Sequence, residues 1–382
     1  MHILYLCSEY PPYHHGGIGS FVQTIARALV ERGHQVTVIG IYRQTTRTIE
    51  SDYGVQVIRI PSSQILKIGF FINFLKLTKR IKDINKEIPI DLIDGQENAF
   101  AFLPKKAKWK NIIRMHGGHH FFYSELGYFP RPWRSYIERL SFSKADAIVA
   151  VSRYVAETTR GLLNLGDREI TVIPNAVDTN LFCPRPNIIE EPGSILFVGT
   201  VTEKKGVRQL VDAMPIIRKA IPNAHLNIIG RDSVDKETGK LYTDLLRENM
   251  TKDISEFVRF IGPIPNKEVS EWIARAQVCV FPSHIEAQGI VIIEAMASGK
   301  AVVASKTGPG PEIIKDGIEG LLCDPYSPMS IAEKVITLLE NEMLRKALSI
   351  NARKTAVEQF SIEVIIEKDL EFYENCLQSN NC

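Results

Sequence analysis

The chain of 382 residues is longer than a single hydrophobic core usually supports, so we expect two domains. Apolar residues make up 45% of the sequence and charged residues 24%, which is typical of a soluble globular protein. No uninterrupted apolar run approaches the roughly 18 residues of a membrane-spanning helix, so we expect no such helix. Six scattered cysteines without a CxxC pair favour free thiols in a reducing cytoplasm.

The net charge of +2 conceals an asymmetry between the two halves of the chain. Residues 1–185 contain 24 Lys and Arg against 16 Asp and Glu, a net charge of +8, whereas residues 186–382 contain 22 against 28, a net charge of −6. A basic half joined to an acidic half suggests that one half meets an anionic partner. The alternative, that these charges only solvate the surface, stays open.

Short β-type runs alternate with amphipathic helical stretches along the chain. The strand HILYLCS is followed by the helical segment GIGSFVQTIARALVERGH, where Phe21, Ile25 and Leu29 form one apolar stripe, and then by the strand QVTVIGI. Strands that alternate with helices indicate parallel sheets with helices on both faces. The alternation continues through the strands AIVAVS, EITVIP, SILFVGT, AHLNIIG, VRFIG, VCVFPS and AVVAS.

A proline-rich segment, FCPRPNIIEEPGS at residues 182–194, interrupts this pattern and is the predicted linker. We therefore expect an α/β protein of two Rossmann-like, doubly wound domains, residues 1–183 and 184–358, that face each other across a cleft. In such sheets, ligands bind beyond the carboxyl ends of the strands. The functional residues are accordingly expected in the loops that follow strands in both domains.

The first of these loops is HHGGIGS, where Gly16 and Gly17 precede a helix. Backbone N–H groups at such a turn can approach a phosphate. The segment is not the dinucleotide-binding fingerprint, because Val22 stands where the third glycine belongs, and this disfavours an NAD-dependent enzyme. A plain tight turn is the alternative explanation.

A second loop, HGGHH, follows the strand NIIRM and begins with His116, whose ring has room beside two glycines to face a ligand. With His14, His15, His119 and His120 it forms a histidine-rich set. Closed zinc sites usually add carboxylate or thiolate ligands at set spacings, and we find none here, so no metal site is expected. A hydrogen-bonding role for His116 beside a reacting ligand is favoured.

Two lysines, Lys204 and Lys205, follow the strand SILFVGT in the segment VGTVTEKKG and precede a helix. A lysine in that place can neutralise a phosphate as a compact point charge. The signal is weak by itself, since lysines near loops are usually only solvated.

The segment HIEAQGIVIIEAMASGK contains two glutamates, Glu286 and Glu294, with seven residues between them. If a helix begins near Gly289, the N–H groups of Gln288, Gly289 and Ile290 can bind a diphosphate. Glu286 then lies in the preceding loop, while Glu294, about 8 Å along the helix, leans back toward its N terminus. The two carboxylates can accept hydroxyls on either side of the diphosphate, as a sugar nucleotide requires. A surface helix that displays two acids is the alternative.

Nearly the whole chain resembles the GT-B glycosyltransferases of family 4, a large retaining family. In the first half the similarity is carried by YPPYHHGGIGSFVQTIARALVERGHQVTVI, ADAIVAVSRY and VIPNAVDTNLF. In the second half it is carried by FVGTVTEKKG, HIEAQGIVIIEAMASGKAVVASKTGPGPEIIKDGIEGLL and FSIEVIIEKDLEFYENCL. The two glutamates together with EAMASGKAVVAS are its most specific part.

The resemblance implies a nucleotide-sugar donor held mainly by the C-terminal domain. Glu294 would bind the ribose hydroxyls and Glu286 the transferred sugar, while Lys205 and the amides of Gln288, Gly289 and Ile290 would hold the diphosphate. The resemblance also implies that residues 359–382 form a helix that crosses back to the N-terminal domain.

From the N-terminal domain, His116 and the Gly16–Gly17 loop would face the sugar. The family generally works without a metal ion, and the chain has no Asp-x-Asp motif, so neither a metal nor a cofactor is expected and the nucleotide-sugar is a substrate. One departure is Thr200, where the family commonly has an arginine that contacts the donor phosphates. This leaves phosphate neutralisation to Lys205, with Arg231 after the strand AHLNIIG as a second candidate.

These features predict a cytoplasmic glycosyltransferase that moves a sugar, in the manner of a hexosyltransferase, to an acceptor hydroxyl with retained anomeric configuration. Its expected role is surface polysaccharide or glycolipid assembly on a carbohydrate or lipid-linked acceptor, and no nucleic-acid partner is expected. Two alternatives stay open. One is a sugar-nucleotide epimerase of the same fold. The other is a non-catalytic partner subunit of the same fold, which Thr200 in place of the usual arginine makes possible.

The segment QILKIGFFINFLKLTKRIKDINK, residues 64–86, reads as a basic amphipathic helix. Such a helix can lie on an anionic membrane, which would place the protein peripherally on the inner membrane face. The alternative is that its apolar stripe packs against the sheet while its basic residues are only solvated. Its apolar residues are Ile68, Phe71, Ile72, Leu75 and Leu77, and its basic residues are Lys67, Lys76, Lys79, Arg80, Lys82 and Lys86.

Overall fold

The computed structural model describes residues 1–12, 16–43, 48–65, 69–104 and 107–378. The chain divides into two compact units, the first formed by Met1–Ala176 with Ile362–Cys382 and the second by Val177–Ser361. Val177 and Phe182 are buried in the core of the second unit, so the chain enters that unit before Cys183. No helix in the described ranges is both long and apolar enough to cross a bilayer.

The first unit contains an eight-stranded sheet. The strands are β1 (His2–Leu6), β2 (Gln35–Tyr42), β3 (Ile49–Asp52), β4 (Val55–Pro61), β5 (Leu92–Gly95), β6 (Lys110–Met115), β7 (Ala147–Ala150) and β8 (Thr171–Val172). Their order in the sheet is β3-β4-β2-β1-β5-β6-β7-β8, and the described pairs are parallel, apart from β3 and β4, which are antiparallel. The helices are α1 (Gly17–Glu31), α2 (Gly69–Glu87), α3 (His119–Glu125), α4 (Pro132–Phe142) and α5 (Arg153–Leu163).

Helix α1 forms where the apolar stripe predicts it. Phe21, Ile25 and Leu29 are buried in the core of the first unit, because a spacing of four residues keeps side chains on one helix face. The stripe therefore fixes α1 against the sheet, and its first turn lies next to the carboxyl end of β1.

The second unit contains a six-stranded parallel sheet. The strands are β9 (Ser194–Val198), β10 (His225–Ile229), β11 (Val258–Gly262), β12 (Val278–Phe281), β13 (Ala301–Ser305) and β14 (Leu321–Cys323). Their order in the sheet is β11-β10-β9-β12-β13-β14. The helices are α6 (Val207–Ala220), α7 (Tyr242–Asn249), α8 (Lys252–Ser255), α9 (Asn266–Arg275), α10 (Ile290–Ala297), α11 (Gly310–Ile313), α12 (Pro328–Glu340) and α13 (Glu342–Phe360).

Both faces of the second sheet are covered. Successive side chains of a strand point to opposite faces, and in β9 Ile195 and Phe197 pack into one apolar core while Leu196 and Val198 pack into another. Helices on both faces explain why the strands read as continuous apolar runs. The prediction of two doubly wound α/β domains in tandem is confirmed by the two sheets.

The C-terminal helix α14 (Ile362–Gln378) belongs to the first unit. A buried polar network fastens it there: the Arg114 guanidinium donates to Asp369 at 2.8 Å, and the Tyr5 and Tyr373 hydroxyls lie 3.0 Å apart. Arg114 also donates to Asp94 at 3.0 Å, so this one cation joins a central strand to the last helix.

Candidate active site

The candidate site of the second unit lies at the point where the strand order reverses. Counted within the unit, the strands run 3-2-1-4-5-6, so the reversal falls between β9 and β12. Ligands of doubly wound sheets bind in the crevice beyond the carboxyl ends of the strands at such a point. The loop after β9 carries Thr200 and Lys205, and the loop after β12 carries Glu286. The sequence predicts these residues as ligand contacts, and the topology brings their loops together.

Helix α10 presents an open N terminus at this point. Gly289 has a φ of +92° and caps the helix, a conformation that favours glycine. The N–H groups of Gly289, Ile290 and Val291 have no hydrogen-bond acceptor among the described residues. Gln288, which the sequence also placed in this set, is buried and makes another interaction of the protein. These donors and the helix dipole favour an anion.

Lys205 and Glu286 form an ion pair across the two loops. The Lys205 ammonium donates to Glu286 Oε2, and each side chain keeps 21% of its surface exposed. The loops are held together by the backbone, because the Lys204 carbonyl accepts from His284 N at 2.9 Å and from Ile285 N at 3.2 Å. The pair therefore places one cation and one carboxylate beside the N terminus of α10.

Glu294 lies in a different environment from Glu286. Its carboxyl group has no hydrogen-bond partner within the described ranges, although it is only partly exposed. Burial raises the pKa of Glu294 to about 7. Its helix is firmly seated, since Ile293 and Ala297 are fully buried. The site thus holds one carboxylate paired with a cation and one that is open to hydroxyl donors.

Thr200 and Arg231 lie at the ends of neighbouring strands. Thr200 is exposed, and the next residue, Val201, donates its N–H to the Arg231 carbonyl at 2.8 Å. This hydrogen bond brings the backbone of Arg231 next to that of Thr200 and Val201. Arg231 is half-buried and takes part in another interaction of the protein.

In the first unit, His116 follows β6 and is buried. Its N–H donates to Glu97 Oε1 at 2.7 Å, and its ring lies 5.5 Å from that of Phe21. Burial and the nearby Arg114 lower the pKa of His116 to about 3, so its imidazole is neutral. The two ring nitrogen atoms have no partner in the part of the chain that the structure describes. His116 can therefore both donate and accept a hydrogen bond.

Glu97 is a site residue that the sequence analysis missed. It follows β5, one of the two strands at the reversal point of the first sheet, and is 5% exposed. Burial, with Glu138 nearby, raises the pKa of Glu97 to about 8. Only the segment DGQENAF after an apolar run could have indicated it.

The Gly16–Gly17 turn begins α1, as predicted. A carboxylate already lies against it, since the Gly16 N–H donates to Glu9 Oε2 at 3.1 Å. The N–H groups of Gly17 and Ile18 have no acceptor among the described residues and remain the donors of this turn. His14 and His15 lie outside the described residues.

His119 and His120, at the start of α3, make hydrogen bonds within the first unit. His119 Nε2 accepts from Arg131 N at 2.9 Å, and the His120 ring bonds to Glu138. No group of three or more His, Cys, Asp or Glu side chains in the described ranges could hold a metal ion.

Two family models cover almost the whole chain. The model described as Glycosyltransferase Family 4 matches residues 15–181, and the model described as glycosyl transferases group 1 matches residues 182–355. A relative named as an uncharacterized glycosyltransferase of Methanocaldococcus jannaschii is 28% identical over 99% of this chain and 99% of its own.

Solved structures share the fold over nearly their full length. Sucrose-phosphate synthase from Thermosynechococcus elongatus has a TM-score of 0.84 and 22% identity, with 98% of each chain covered. HepE from Anabaena, solved in complex with UDP and glucose, has a TM-score of 0.76 and 19% identity, with 98% of this chain and 100% of that chain covered.

Proposed function

The chain belongs to the GT-B glycosyltransferases, with a Glycosyltransferase Family 4 region followed by a glycosyl transferases group 1 region, and on this basis we propose that its second unit binds a nucleotide-diphosphate-sugar as the donor. The observation that carries the proposal is the arrangement at α10: an open helix N terminus, the Lys205–Glu286 pair in front of it and an unpaired carboxyl group at Glu294.

Each part of this arrangement matches one part of the donor. The N–H groups at the start of α10 and the Lys205 ammonium match the diphosphate. Glu294 matches the ribose, whose two neighbouring hydroxyls can donate to one carboxylate. Glu286 matches the hydroxyls of the transferred sugar. When the diphosphate binds, the Lys205 ammonium would contact both the diphosphate and the Glu286 carboxylate. The complex of HepE with UDP and glucose supports this class of ligand.

The proposed reaction retains the anomeric configuration. The bond from the anomeric carbon to the diphosphate oxygen breaks, and its electron pair leaves with the nucleotide diphosphate. The acceptor oxygen bonds to the same face of the anomeric carbon, and its proton passes to the departing phosphate. Glu286 suits a binding role better than a nucleophilic one, because Lys205 already neutralises it.

In this proposal, stabilisation of the negative charge on the leaving diphosphate makes the largest contribution to lowering the activation barrier. Lys205 and the α10 N terminus are fixed before the reaction and need no reorganisation. They supply positive charge where many transferases use a metal ion, so we propose that the reaction is metal-independent. Arg231 is proposed to add to this charge in place of the arginine absent at Thr200. His116 and the Gly16–Gly17 turn are proposed to contact the transferred sugar, and the neutral imidazole suits a sugar hydroxyl.

We also propose that the protein docks on anionic membranes through an exposed stripe of α2. Leu77, Ile81 and Ile84 are buried, so in that part of the helix the apolar residues pack against the rest of the unit, as the alternative explanation holds. Phe71 and Leu75, however, are 55% and 70% exposed. Steps of three and four residues place them in line with three exposed lysines. The stripe consists of Phe71, Leu75, Lys79, Lys82 and Lys86, whereas Lys67 and Ile68 lie outside the described residues.

This surface supports a role on membrane-borne acceptors, in surface polysaccharide or glycolipid assembly on the cytoplasmic side. The free thiols of the described cysteines support that compartment. They are Cys7, Cys183, Cys279, Cys323 and Cys376.

A donor screen tests the proposal. The full chain is incubated with UDP-, GDP- and ADP-sugars, with and without acceptor glycosides, and nucleotide diphosphate release is followed. Release that depends on the acceptor supports transfer. Conversion of the donor sugar without any acceptor would indicate an epimerase, and donor binding without turnover would indicate a non-catalytic subunit.

A further inference from the structure

The first unit contains a pocket of about 510 Å³ that the donor-binding residues do not use. Its walls come from the start of α2, the loop after β5, the turn between β6 and α3, and the first turns of α4. This volume lies within the range of small-molecule sites. The pocket lies beyond the carboxyl ends of β5 and β6, where doubly wound sheets place their ligands.

One wall of the pocket is aromatic. The rings of Phe70 and Trp133 meet edge to face with centroids 5.3 Å apart, and Phe122 and Tyr123 continue the wall. Trp133 keeps 51% of its surface exposed, so part of its indole is open to a ligand. A large, rigid aromatic face with a polar edge suits a ligand that is apolar on one side and polar at its rim, and a pyranose ring has that character.

The pocket also offers polar groups that make no hydrogen bond within the described ranges, although the Arg134 guanidinium lies 5.8 Å from the centre of the Trp133 ring. Within the described ranges, five of its side chains have no hydrogen-bond partner. Two of them are amides, which both donate and accept, as sugar hydroxyls do. A few oriented polar groups in a largely apolar pocket fix the orientation of a ligand. The five side chains are Gln96, Asn98, Tyr123, Trp133 and Arg134.

The floor of the pocket is acidic. Glu97 and Glu138 are buried on either side of Gly118, where a Cβ atom would lie 1.9 Å from Glu138 Oε1 and 2.9 Å from Glu97 Cγ. Both oxygen atoms of Glu138 accept N–H groups at the start of α3, from His119 at 2.8 Å and from His120 at 2.9 Å. A negatively charged ligand group at this floor would meet the Glu138 carboxylate, and also Glu97 once that group ionises near pH 8, so the floor disfavours phosphates and carboxylates.

We propose that this pocket binds a neutral sugar ring of the acceptor, stacked on Trp133 and hydrogen-bonded to the amides of Gln96 and Asn98. The description of this sugar as the acceptor rests on the proposed glycosyl transfer. Its binding does not, and it can be measured in the absence of any donor. A pocket of this kind limits the acceptor to compounds that end in an uncharged sugar.

The experiment is a calorimetric titration of the full chain with the methyl glycosides of glucose, galactose, mannose, rhamnose, N-acetylglucosamine and N-acetylgalactosamine, with methyl glucuronide as the anionic comparison. At least one neutral glycoside is expected to bind. Trp133→Ala and Asn98→Ala should each weaken its binding at least tenfold, whereas Trp272→Phe, in the second unit, should leave it unchanged. Nucleotide diphosphate affinity, measured in the same variants, should stay at the wild-type value.

The outcomes separate this inference from the proposed function. Failure of every neutral glycoside to bind, or equal binding by wild type, Trp133→Ala and Asn98→Ala, would overturn it. Preferential binding of methyl glucuronide that is lost in Arg134→Ala would also overturn it, in favour of an anionic acceptor. If a neutral glycoside binds in this pocket but no nucleotide diphosphate binds the protein, the proposed sugar site would stand and the proposed transferase reaction would be wrong.

Discussion

The Lys205 ammonium donates a hydrogen bond to Glu286 Oε2, although the two residues lie 81 positions apart in the chain. The pair stands in front of the first turn of α10, whose N–H groups point away from the helix. Lys205 is the cation that a diphosphate would bind, and Glu286 is the acceptor that a sugar hydroxyl would meet. Their pairing keeps both side chains in place before a ligand arrives, which lowers the cost of ordering them.

We expect Glu286→Gln to lower turnover by about a hundredfold and to change nucleotide diphosphate affinity by less than about threefold. The variant would lose the proposed charged hydrogen bond to the transferred sugar, which matters most as charge develops on that sugar. Steady-state kinetics and calorimetry of the same preparation measure the two effects. Glu340→Gln, at an exposed position of α12, is the matched control. Wild-type turnover in Glu286→Gln would remove Glu286 from the site.

We expect Arg231→Ala to weaken donor binding about fivefold, because it removes a cation from the strand end next to Val201. Introducing Thr200→Arg into that variant should restore part of the affinity, since it returns the charge to the neighbouring strand end. The donor dissociation constants of wild type and both variants test this expectation. If neither substitution changes the constant, Arg231 does not contact the donor.

The rate of sugar transfer should be the same in the presence of EDTA as in the presence of Mg²⁺. In the proposed reaction, Lys205 and the α10 N terminus supply the positive charge that the leaving diphosphate needs. The measurement is the initial rate of nucleotide diphosphate release after chelation, with added Mg²⁺ or Mn²⁺ as the comparison. Complete loss of the rate in EDTA, with recovery on addition of a divalent ion, would contradict metal independence.

The α2 stripe should bind vesicles that contain anionic lipid, and added salt should release the protein by screening. Replacing Lys79, Lys82 and Lys86 by glutamate should abolish pelleting with these vesicles and leave nucleotide diphosphate binding intact. A control with glutamate at three exposed lysines of the second unit has the same change in net charge. Those lysines are Lys219, Lys252 and Lys267.

Equal loss of pelleting in both triple variants would mean that net charge, and not this stripe, drives the binding. Pelleting that ignores salt and both triple variants would rule out α2 as the membrane contact. Two further variants, Phe71→Ser and Leu75→Ser, test the apolar part of the stripe. Each should weaken pelleting with the vesicles without changing how pelleting depends on salt.

Much of the second unit could be predicted from local sequence. The strands are apolar runs, and the spacing of Glu286 and Glu294 places one before and one inside a helix that begins at a glycine. Such features depend on periodicity over a few residues, which a single sequence displays. The prediction of a glycosyltransferase of the GT-B fold is confirmed by the family models and the solved structures.

Other features depend on which distant segments meet, and the sequence does not display them. The pairing of Lys205 with Glu286 requires the reversal of strand order between β9 and β12. The place of Glu97 in the site depends on the pairing of β5 with β6, after which its carboxyl group accepts a hydrogen bond from the His116 N–H. In α2, periodicity predicts a helix with an apolar stripe, but only the structure separates the buried Leu77 from the exposed Leu75.

The central claim is that α10 binds a nucleotide diphosphate with Glu294 on the ribose, and one titration tests it most directly. UDP, GDP and ADP are titrated into wild type and Glu294→Gln at pH 8 and pH 6. Because the pKa of Glu294 is about 7, its carboxyl group is mostly ionised at pH 8 and mostly protonated at pH 6.

At least one nucleotide should bind wild type about tenfold more tightly than Glu294→Gln at pH 8, since a charged hydrogen bond is lost. The difference should shrink at pH 6, and the comparison with the variant cancels the titration of the nucleotide itself. Equal affinities at pH 8, or no binding of any of the three nucleotides, would contradict the account.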